Sequence, residues 1–499
     1  MLTKNKSIII CIFLFIIYKF YLIILLFRER LLLPLPDDSY FYLTETKKII
    51  DSKTVLYNFP PNAIWPTDWL QMLPYKLFLI FIHFISGLSL EKVYIASFFV
   101  GTIILPFVLL YFFKKLTKDK LNIAWLILFM AFYSGSGAYH GFYWVVPSFF
   151  ALLLFFLIIS TKQKIINLLL VVVFVFLNPM SVFVLLIPVF YSIFLYIFSK
   201  KEYKNILNYL VLLVWGFFVY GIGFLILKIT HTAVRVNYDL PIDSIKNILN
   251  GGNFYPGWSV FQNEYLKILF PKNVFIPVFF VLIYILFKNK RFKMLSLFFA
   301  TLVFTLCSLI NKTGYRALEF QWPLTFMLVG QGIYDLFRFL KIIPKTIFAI
   351  MVLGFLFMLN TFNMIQVKRL NIEDDYLIDS SCSLYLMQMT SLKEIICFDS
   401  NGIYQYFNYL GLYKRRAILI DSVTFKQNIS ADKKYLVRRK SKIIEKEENL
   451  SSIEKLLVSQ ISRKNIIDNK ASVFWDNSAP MKLVKDCGQF AIYNMISSR

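Results

Sequence analysis

The sequence predicts an all-α polytopic membrane domain of about eleven transmembrane helices, with juxtamembrane helices in its first outer loop, followed by a small soluble α/β domain. Three observations carry that expectation. Of 499 residues, 58% are hydrophobic and 18% aromatic, while 17% are charged against about a quarter in soluble domains. The apolar residues fall in long runs, and from about residue 364 these shrink to four to six residues as charge rises. The 54 Lys plus Arg, against 29 Asp plus Glu, gather in short clusters between the runs. A nucleic-acid partner would need those cations along a solvated face, so the membrane is the expected partner and the net charge of +25 is a matter of topology.

About 20 residues at 1.5 Å each cross the hydrocarbon layer. The candidate spans are 8–27, 91–113, 121–138, 143–160, 165–177, 181–199, 206–228, 272–287, 294–310, 320–337 and 346–363. Lys and Arg accumulate in short cytoplasmic loops, and that bias orients the chain. With the N-terminus inside, the segments 1–7, 114–120, 161–164, 199–205, 288–293 and 338–345 are internal; their 39 residues carry 18 Lys or Arg. The opposite loops up to residue 320 are longer and carry about a dozen. A span at Leu73–Ser86 would push KKLTKDK (114–120) outside, so that segment reads as an interfacial or re-entrant helix with Lys76 and His83 near the headgroups. Residues 1–27 lack the short apolar core and small-residue cleavage site of a signal peptide. The domain 1–363 is therefore the membrane part, and 364–499 is extracytoplasmic.

The acids are segregated too. Of 14 Asp or Glu in 1–363, this topology puts 11 outside, seven of them in the first outer loop or at its end. Sorting of cations to the inside explains the trend but not two adjacent carboxylates at a boundary. Leu33-Pro-Leu-Pro leaves the first span extended, and Asp37, Asp38, Ser39 and Tyr40 open a run with apolar residues at 41, 42, 43, 49 and 50. Asp38 or Ser39 can cap an interfacial helix there. Paired acids beside a low dielectric can also split their pKa values, so that one accepts a proton while its neighbour holds a cation. Downstream, Trp65, Asp68 and Trp69 lie close together in NFPPNAIWPTDWLQMLP; they read either as an aromatic belt or as a platform for sugar or acceptor.

An N-terminal span, a long outer loop opening with Asp37-Asp38-Ser39-Tyr40-Phe41-Tyr42, a Pro-rich stretch, a juxtamembrane helix and then many spans resemble the GT-C superfamily of membrane glycosyltransferases, which includes oligosaccharyltransferase catalytic subunits, protein O-mannosyltransferases and aminoarabinose transferases. The resemblance implies transfer of a sugar from a polyprenyl-phosphate donor to a glycan, lipid or protein acceptor. It implies a first-loop carboxylate, Asp37 or Asp38, as base or metal ligand. The WWDYG-type motif of the oligosaccharyltransferase subgroup is absent, so the resemblance does not extend to Asn-directed protein glycosylation.

Such a donor needs cations at the outer boundary, preferably Arg. Lys312, Tyr315, Arg316 and Glu319 sit in a short outer loop, where Arg316 and Glu319 are spaced to share a helix face and pair. Arg235 lies in the loop 229–271, whose GGNFYPGW run (251–258) reads as a lid or as an ordinary structured connection. His140, in SGSGAYHGFYW (134–144), falls at the outer end of a span pair, as a structural residue or a substrate contact. HExxH and CxxC patterns are absent, so the dedicated zinc patterns are missing, and a carboxylate-bound Mg or Mn at Asp37 and Asp38, or no metal at all, stays open. Walker A and dinucleotide fingerprints are absent as well, so a nucleotide-sugar donor has no support.

In the tail, Glu394–Phe398, Ala417–Ile420, Tyr435–Val437 and Phe490–Tyr493 predict strands, and 402–410 and 450–461 predict helices. The expected function is a membrane glycosyltransferase working on the extracytoplasmic side, with a polysaccharide polymerase or ligase and a lipid or solute transporter as alternatives. Lys19 is the clearest intramembrane charge. The richness in Lys, Ile and Asn is in keeping with an AT-rich genome and a bacterial inner membrane.

Overall fold

A computed structural model of the chain describes residues 2–27, 42–43, 46–47, 49–51, 53, 72–133, 135–136, 139–140, 147–177, 181–199, 203–229, 272–308, 317–339, 351–358, 385, 388–389, 395–399, 416–420, 435–439, 481–487 and 490–495. Two compact units divide the chain: Met1–Leu32 with Thr67–Val367, and Leu33–Pro66 with Lys368–Arg499.

In its described residues the first unit is helical apart from one small hairpin. Its helices are α1 (Leu2–Phe27), α2 (Leu73–Ser86), α3 (Leu90–Leu116), α4 (Lys120–Ala131), α5 (Pro147–Ser160), α6 (Lys164–Val175), α7 (Ser181–Val184), α8 (Leu186–Ser199), α9 (Tyr203–Ile229), α10 (Lys272–Lys288), α11 (Phe292–Ser308) and α12 (Leu318–Phe339). Each apolar stretch marked in the sequence overlaps one or more of these helices or, for 346–363, helical residues at 351–358, but the expected span 121–138 is cut short: its helix ends at Ala131 and Gly135–Ser136 is a strand. Among the described residues, four stretches are long and apolar enough to cross a membrane: Lys6–Ile24, Lys92–Leu116, Ser181–Ser199 and Asn205–Gly223. Five other apolar helices, α2, α4, α5, α6 and α11, are shorter.

Local chemistry sets the ends. The Asp119 side chain accepts from Leu121 N and Asn122 N and so caps α4. Proline at the start of α5 occupies a position whose N–H has no helical partner. Gly87 closes α2 with φ 65°, a left-handed conformation that costs glycine little. The turn between α10 and α11 does the same with a lysine: Lys290 has φ 54°, and Arg291 N reaches back to Leu286 O in a Schellman-type closure.

Without a hydrophobic gradient between lipid and protein, helices associate by fit and by polar contacts. The α1 face bearing Ile9, Ile10, Phe13 and Ile24 is exposed, whereas Phe15, Leu22 and Ile23 are buried against α3 and α4. Leu286, Leu295, Phe298 and Leu328 join α10, α11 and α12 in one cluster. Gly330 lets α12 approach α4: a Cβ there would meet Phe129 Cδ1 at 2.5 Å, and Trp125 Nε1 donates to Gly330 O at 2.8 Å.

One expectation is corrected here. The helix at Leu73–Ser86 forms with the anticipated bounds, but Lys76 is fully buried rather than placed near headgroups. Tyr75, Lys76 and Leu79 share one face at helical spacing, and that face packs inward, leaving Leu77, Phe81, Phe84 and Ile85 exposed.

In the second unit, β3 (Ile395–Asp399), β4 (Arg416–Ile420), β5 (Tyr435–Arg439), β6 (Met481–Cys487) and β7 (Phe490–Met495) form a mixed sheet in the order β4-β3-β5-β7-β6. The β4, β3 and β5 strands run parallel, and β7 pairs antiparallel with β5 and β6. Four strands answer the four predicted ones. The edge strand β6, read as MKLVKDC, escaped because Lys482, Lys485 and Asp486 break its apolar run. The predicted helices at 402–410 and 450–461 lie outside the described residues. Cys397 on β3 and Cys487 on β6 stand three strand spacings apart, about 14 Å, beyond the reach of a disulfide. In the first loop, Tyr42, Leu43, Thr46 and Ile49 are buried helical residues, and Lys47 pairs with Asp51 on the opposite side at 3.0 Å.

The close approach at Gly330 yields a test. Gly330→Ala drives a methyl into the Phe129 ring and is expected to destabilise the helical unit by about 1–3 kcal/mol, read as a lowered thermal midpoint in detergent. An unchanged midpoint would show that the two helices do not depend on that contact.

Candidate functional site

One end of the helical unit gathers the elements that lead into the predicted site. Lys19, buried on α1, donates from Nζ to Tyr133 O at 3.0 Å, and Tyr18 packs on Phe132 with centroids 4.9 Å apart. A lone cation in an apolar bundle needs an acceptor, and the main-chain carbonyl of Tyr133, two residues past the end of α4, provides one. From Lys19, α1 runs eight further residues, about 12 Å, before the segment that carries Asp37 and Asp38.

Beyond Tyr133 the chain turns through a two-stranded hairpin, β1 (Gly135–Ser136) and β2 (Tyr139–His140), with Gly135 opposite His140 and Ser136 opposite Tyr139. The first turn of α12 packs beside β2. Its Phe320 meets Phe155 at 5.6 Å and Phe174 at 6.3 Å, and Phe326 meets Phe129 at 4.6 Å and Tyr133 at 5.6 Å. These rings join α12 to α4, α5 and α6 in one apolar layer. Met72 N donates to Phe176 O at 2.8 Å, fixing the start of α2 on the end of α6 at the same end of the unit.

Of the residues singled out from the sequence, Asp37, Asp38, Tyr40, Trp65, Asp68, Trp69, Arg235, Lys312, Tyr315 and Arg316 lie outside the described residues. His140 is on β2, and Glu319 is half-buried in the first turn of α12, so these two stand on neighbouring elements. Among the described residues no group of three or more His, Cys, Asp or Glu comes together to hold a metal ion.

The opposite end carries a polar cluster that the sequence reading missed. Arg291 binds Asp335 through both arms, Nε to Oδ2 at 2.9 Å and Nη2 to Oδ1 at 2.7 Å. Asp335 is 1% exposed and Arg291 20%. Hydrogen bonding to Asp335 raises the guanidinium pKa above its already high ordinary value. Around this pair, Tyr334 Oη donates to Asp119 Oδ2 at 3.0 Å, Lys293 Nζ to Lys115 O at 2.9 Å and Asn122 Nδ2 to Gln331 Oε1 at 2.8 Å. The available signal was a carboxylate, Asp335, near the end of a membrane-type helix and on the side that charge counting assigns to the basic turns.

No protein-family model and no curated protein sequence matches the chain. Solved structures do. The Archaeoglobus fulgidus oligosaccharyltransferase in complex with Zn and sulfate superposes with a TM-score of 0.53 at 12% identity, over 86% of this chain and 68% of that one. The archaeal oligosaccharyltransferase AglB from Archaeoglobus fulgidus, with an inhibitory peptide and a dolichol-phosphate, gives 0.52 at 12% identity over 87% and 70%. At 12% identity the likeness is one of fold: the chain shares the fold of these oligosaccharyltransferase structures. That agrees with the fold expected from the first-loop resemblance, and the described helices fit a helical membrane domain.

Two measurements follow from this geometry. In a cysteine-free background, Ser136→Cys and Lys290→Cys sit at opposite ends of a unit in which Glu319 and Asp335 alone are separated by about 24 Å of helix. A membrane-impermeant maleimide applied to sealed, right-side-out vesicles is expected to label the first and spare the second; equal labelling would contradict the placement. Asp335→Asn strands the Arg291 charge and is expected to destabilise the unit by about 3 kcal/mol, seen as a drop in thermal midpoint that Asp51→Asn, on an exposed pair, does not reproduce.

Proposed function

We propose that the chain is an integral membrane glycosyltransferase that moves a sugar from a polyprenyl-phosphate donor to an acceptor hydroxyl or amine on the extracytoplasmic side. The observation that carries this reading is the fold shared with an oligosaccharyltransferase seen in complex with a dolichol-phosphate and an inhibitory peptide. Another neighbouring structure of that enzyme is tethered to an acceptor peptide. The sequence adds an acidic pair where the first helix gives way to a long loop, as the superfamily resemblance requires. The membrane domain is 1–363 and the extracytoplasmic domain 364–499.

In this reading Asp37 or Asp38 accepts the acceptor proton as the new glycosidic bond forms and the bond from sugar to phosphate breaks. The polyprenyl phosphate leaves with the electron pair, steadied by Arg316 and Arg235. Tyr40, Trp65, Asp68, Trp69, His140, Lys312, Tyr315 and Glu319 contribute to substrate binding. Oxygen-only donors such as Asp37 and Asp38 suit a hard divalent cation, Mg or Mn, which would supply positive charge at the phosphate. In support of this reading, His140 and Glu319 stand on the neighbouring elements β2 and α12. The absent WWDYG-type motif argues against carrying over Asn-directed peptide glycosylation from the structural neighbours.

The test is release of labelled sugar from a polyprenyl-phosphate donor by the purified protein. Loss of a general base lowers turnover about 10²–10⁴-fold, so Asp37→Asn or Asp38→Asn is expected to fall into that range with unchanged thermal stability. Equal turnover by wild type and both variants would remove the acid-pair mechanism; counterflow of intact donor in sealed vesicles without sugar release would point to transport.

A further inference from the structure

The basic turns that orient the chain also build a cavity. Residues from 114–120, from Ser199 and from 288–293, three segments assigned to the cytoplasmic side by charge, converge with α12 around a cavity of about 300 Å³, within the range of small-molecule sites. Its walls are of two kinds. Leu195 and Phe292 supply apolar surface, while Lys118, Lys290, Arg291 and Lys293 supply cations.

Three features distinguish it from an ordinary basic surface. Gln331 lines the cavity, is fully buried, and its Nε2 has no hydrogen-bond partner among the described residues, although its Oε1 is held by Asn122. A buried amide donor left unpaired costs about 1–3 kcal/mol, which a bound acceptor oxygen would recover. Next, the local acids are already engaged: Asp335 by Arg291, and Asp119 by Leu121 N, Asn122 N and Tyr334 Oη. Lys118 and Lys290 form no ion pair among the described residues and remain as surplus charge. Finally, Lys290 is held at φ 54°, a conformation that disfavours a side chain. Glycine would occupy the position without strain, yet the sequence keeps a cation there.

We propose that this cavity is a binding site for the phosphate of an anionic phospholipid head group. The phosphate oxygens accept from Gln331 Nε2 and from the ammonium groups of Lys118, Lys290 and Lys293. Arg291, turned toward Asp335 with two of its N–H groups, shapes the rim and leaves donors over. Leu195 and Phe292 lie where the glycerol and first methylenes continue toward the bilayer. A free phosphate ester shares the head-group chemistry but makes no use of the apolar wall. Basic pockets between helices on the cytoplasmic side suit such head groups.

The experiment uses the full chain in phosphatidylcholine nanodiscs titrated with phosphatidylglycerol, with bound lipid read by native mass spectrometry. Wild type is expected to retain one phosphatidylglycerol per chain. K118Q/K290Q is expected to bind it about 25-fold more weakly, at about five-fold per lysine. K162Q/K164Q removes the same charge from another basic turn on the same side and is expected to leave retention unchanged. Equal weakening in both double variants would overturn the site in favour of diffuse attraction, and no weakening in K118Q/K290Q would overturn it outright. Displacement of the lipid by inorganic phosphate or glycerol 3-phosphate at equal concentration would overturn the lipid assignment and give the cavity to a soluble phosphate ester. Sugar transfer is not read in this assay, so its outcome is independent of the Asp37 and Asp38 variants.

Discussion

The two-armed bond between Arg291 and Asp335 is the constraint around which the helical unit is arranged. A carboxylate on a buried helix face cannot remain charged in a low-dielectric surrounding unless a cation meets it with good geometry. That requirement brings the α10–α11 turn against α12 and holds it in one register. The neighbouring contacts then follow: Tyr334 reaches the cap of α4, and Lys293 reaches the carbonyl that ends α3. Three contacts, Arg291 with Asp335, Tyr334 with Asp119 and Lys293 with Lys115, tie α3, the cap of α4, the α10–α11 turn and α12 together at one end. Helices are stiff, so fixing their inner ends also sets where their far ends emerge.

At the far end a different device does the positioning. Lys19 has no carboxylate partner among the described contacts; it donates to a main-chain carbonyl at the end of α4. A main-chain carbonyl gives the buried ammonium a fixed acceptor. It ties the helix that delivers the first loop to the helix that delivers the His140 hairpin. The aromatic contacts of Phe320 and Phe326 extend the platform to α12. A charge in the middle of α1 that reads as a transport feature in isolation is thus accounted for by structure.

Element positions were legible because membrane helices announce themselves by composition: the stretch at Leu73–Ser86 and those from 91–113 to 320–337 each became helix. Lys76 was misplaced because hydropathy does not say which face of a short helix turns inward, and Tyr75 and Leu79 took it with them. The β6 strand was missed because Lys482 and Lys485 disguise a sheet-edge strand as a polar segment. Charge counting grouped KKLTKDK and KNKRFK as topological signals, and the structure brings parts of both to one cavity. What composition could not reveal was the pairing of Arg291 with Asp335, which stand 44 residues apart in sequence and meet only after folding. The candidate catalytic residues were legible only as a motif: Asp37 and Asp38 rest on the first loop's pattern and on the superfamily fold.

Charge segregation finally bears on what each end can do. An inner surface crowded with lysine neutralises phosphate by abundance, so a site there needs a buried, directional donor such as Gln331 to be more than a surface. By the expected topology the outer loops up to residue 320 are close to balanced, with 11 acids against about a dozen cations, and most of those acids fall in or at the end of the first loop. Under the proposed function, a donor phosphate at that end would rely on individual side chains, Arg316 and Arg235 above all, to offset the neighbouring carboxylates. The charge distribution that is expected to orient the chain would then also decide how each end meets a phosphate.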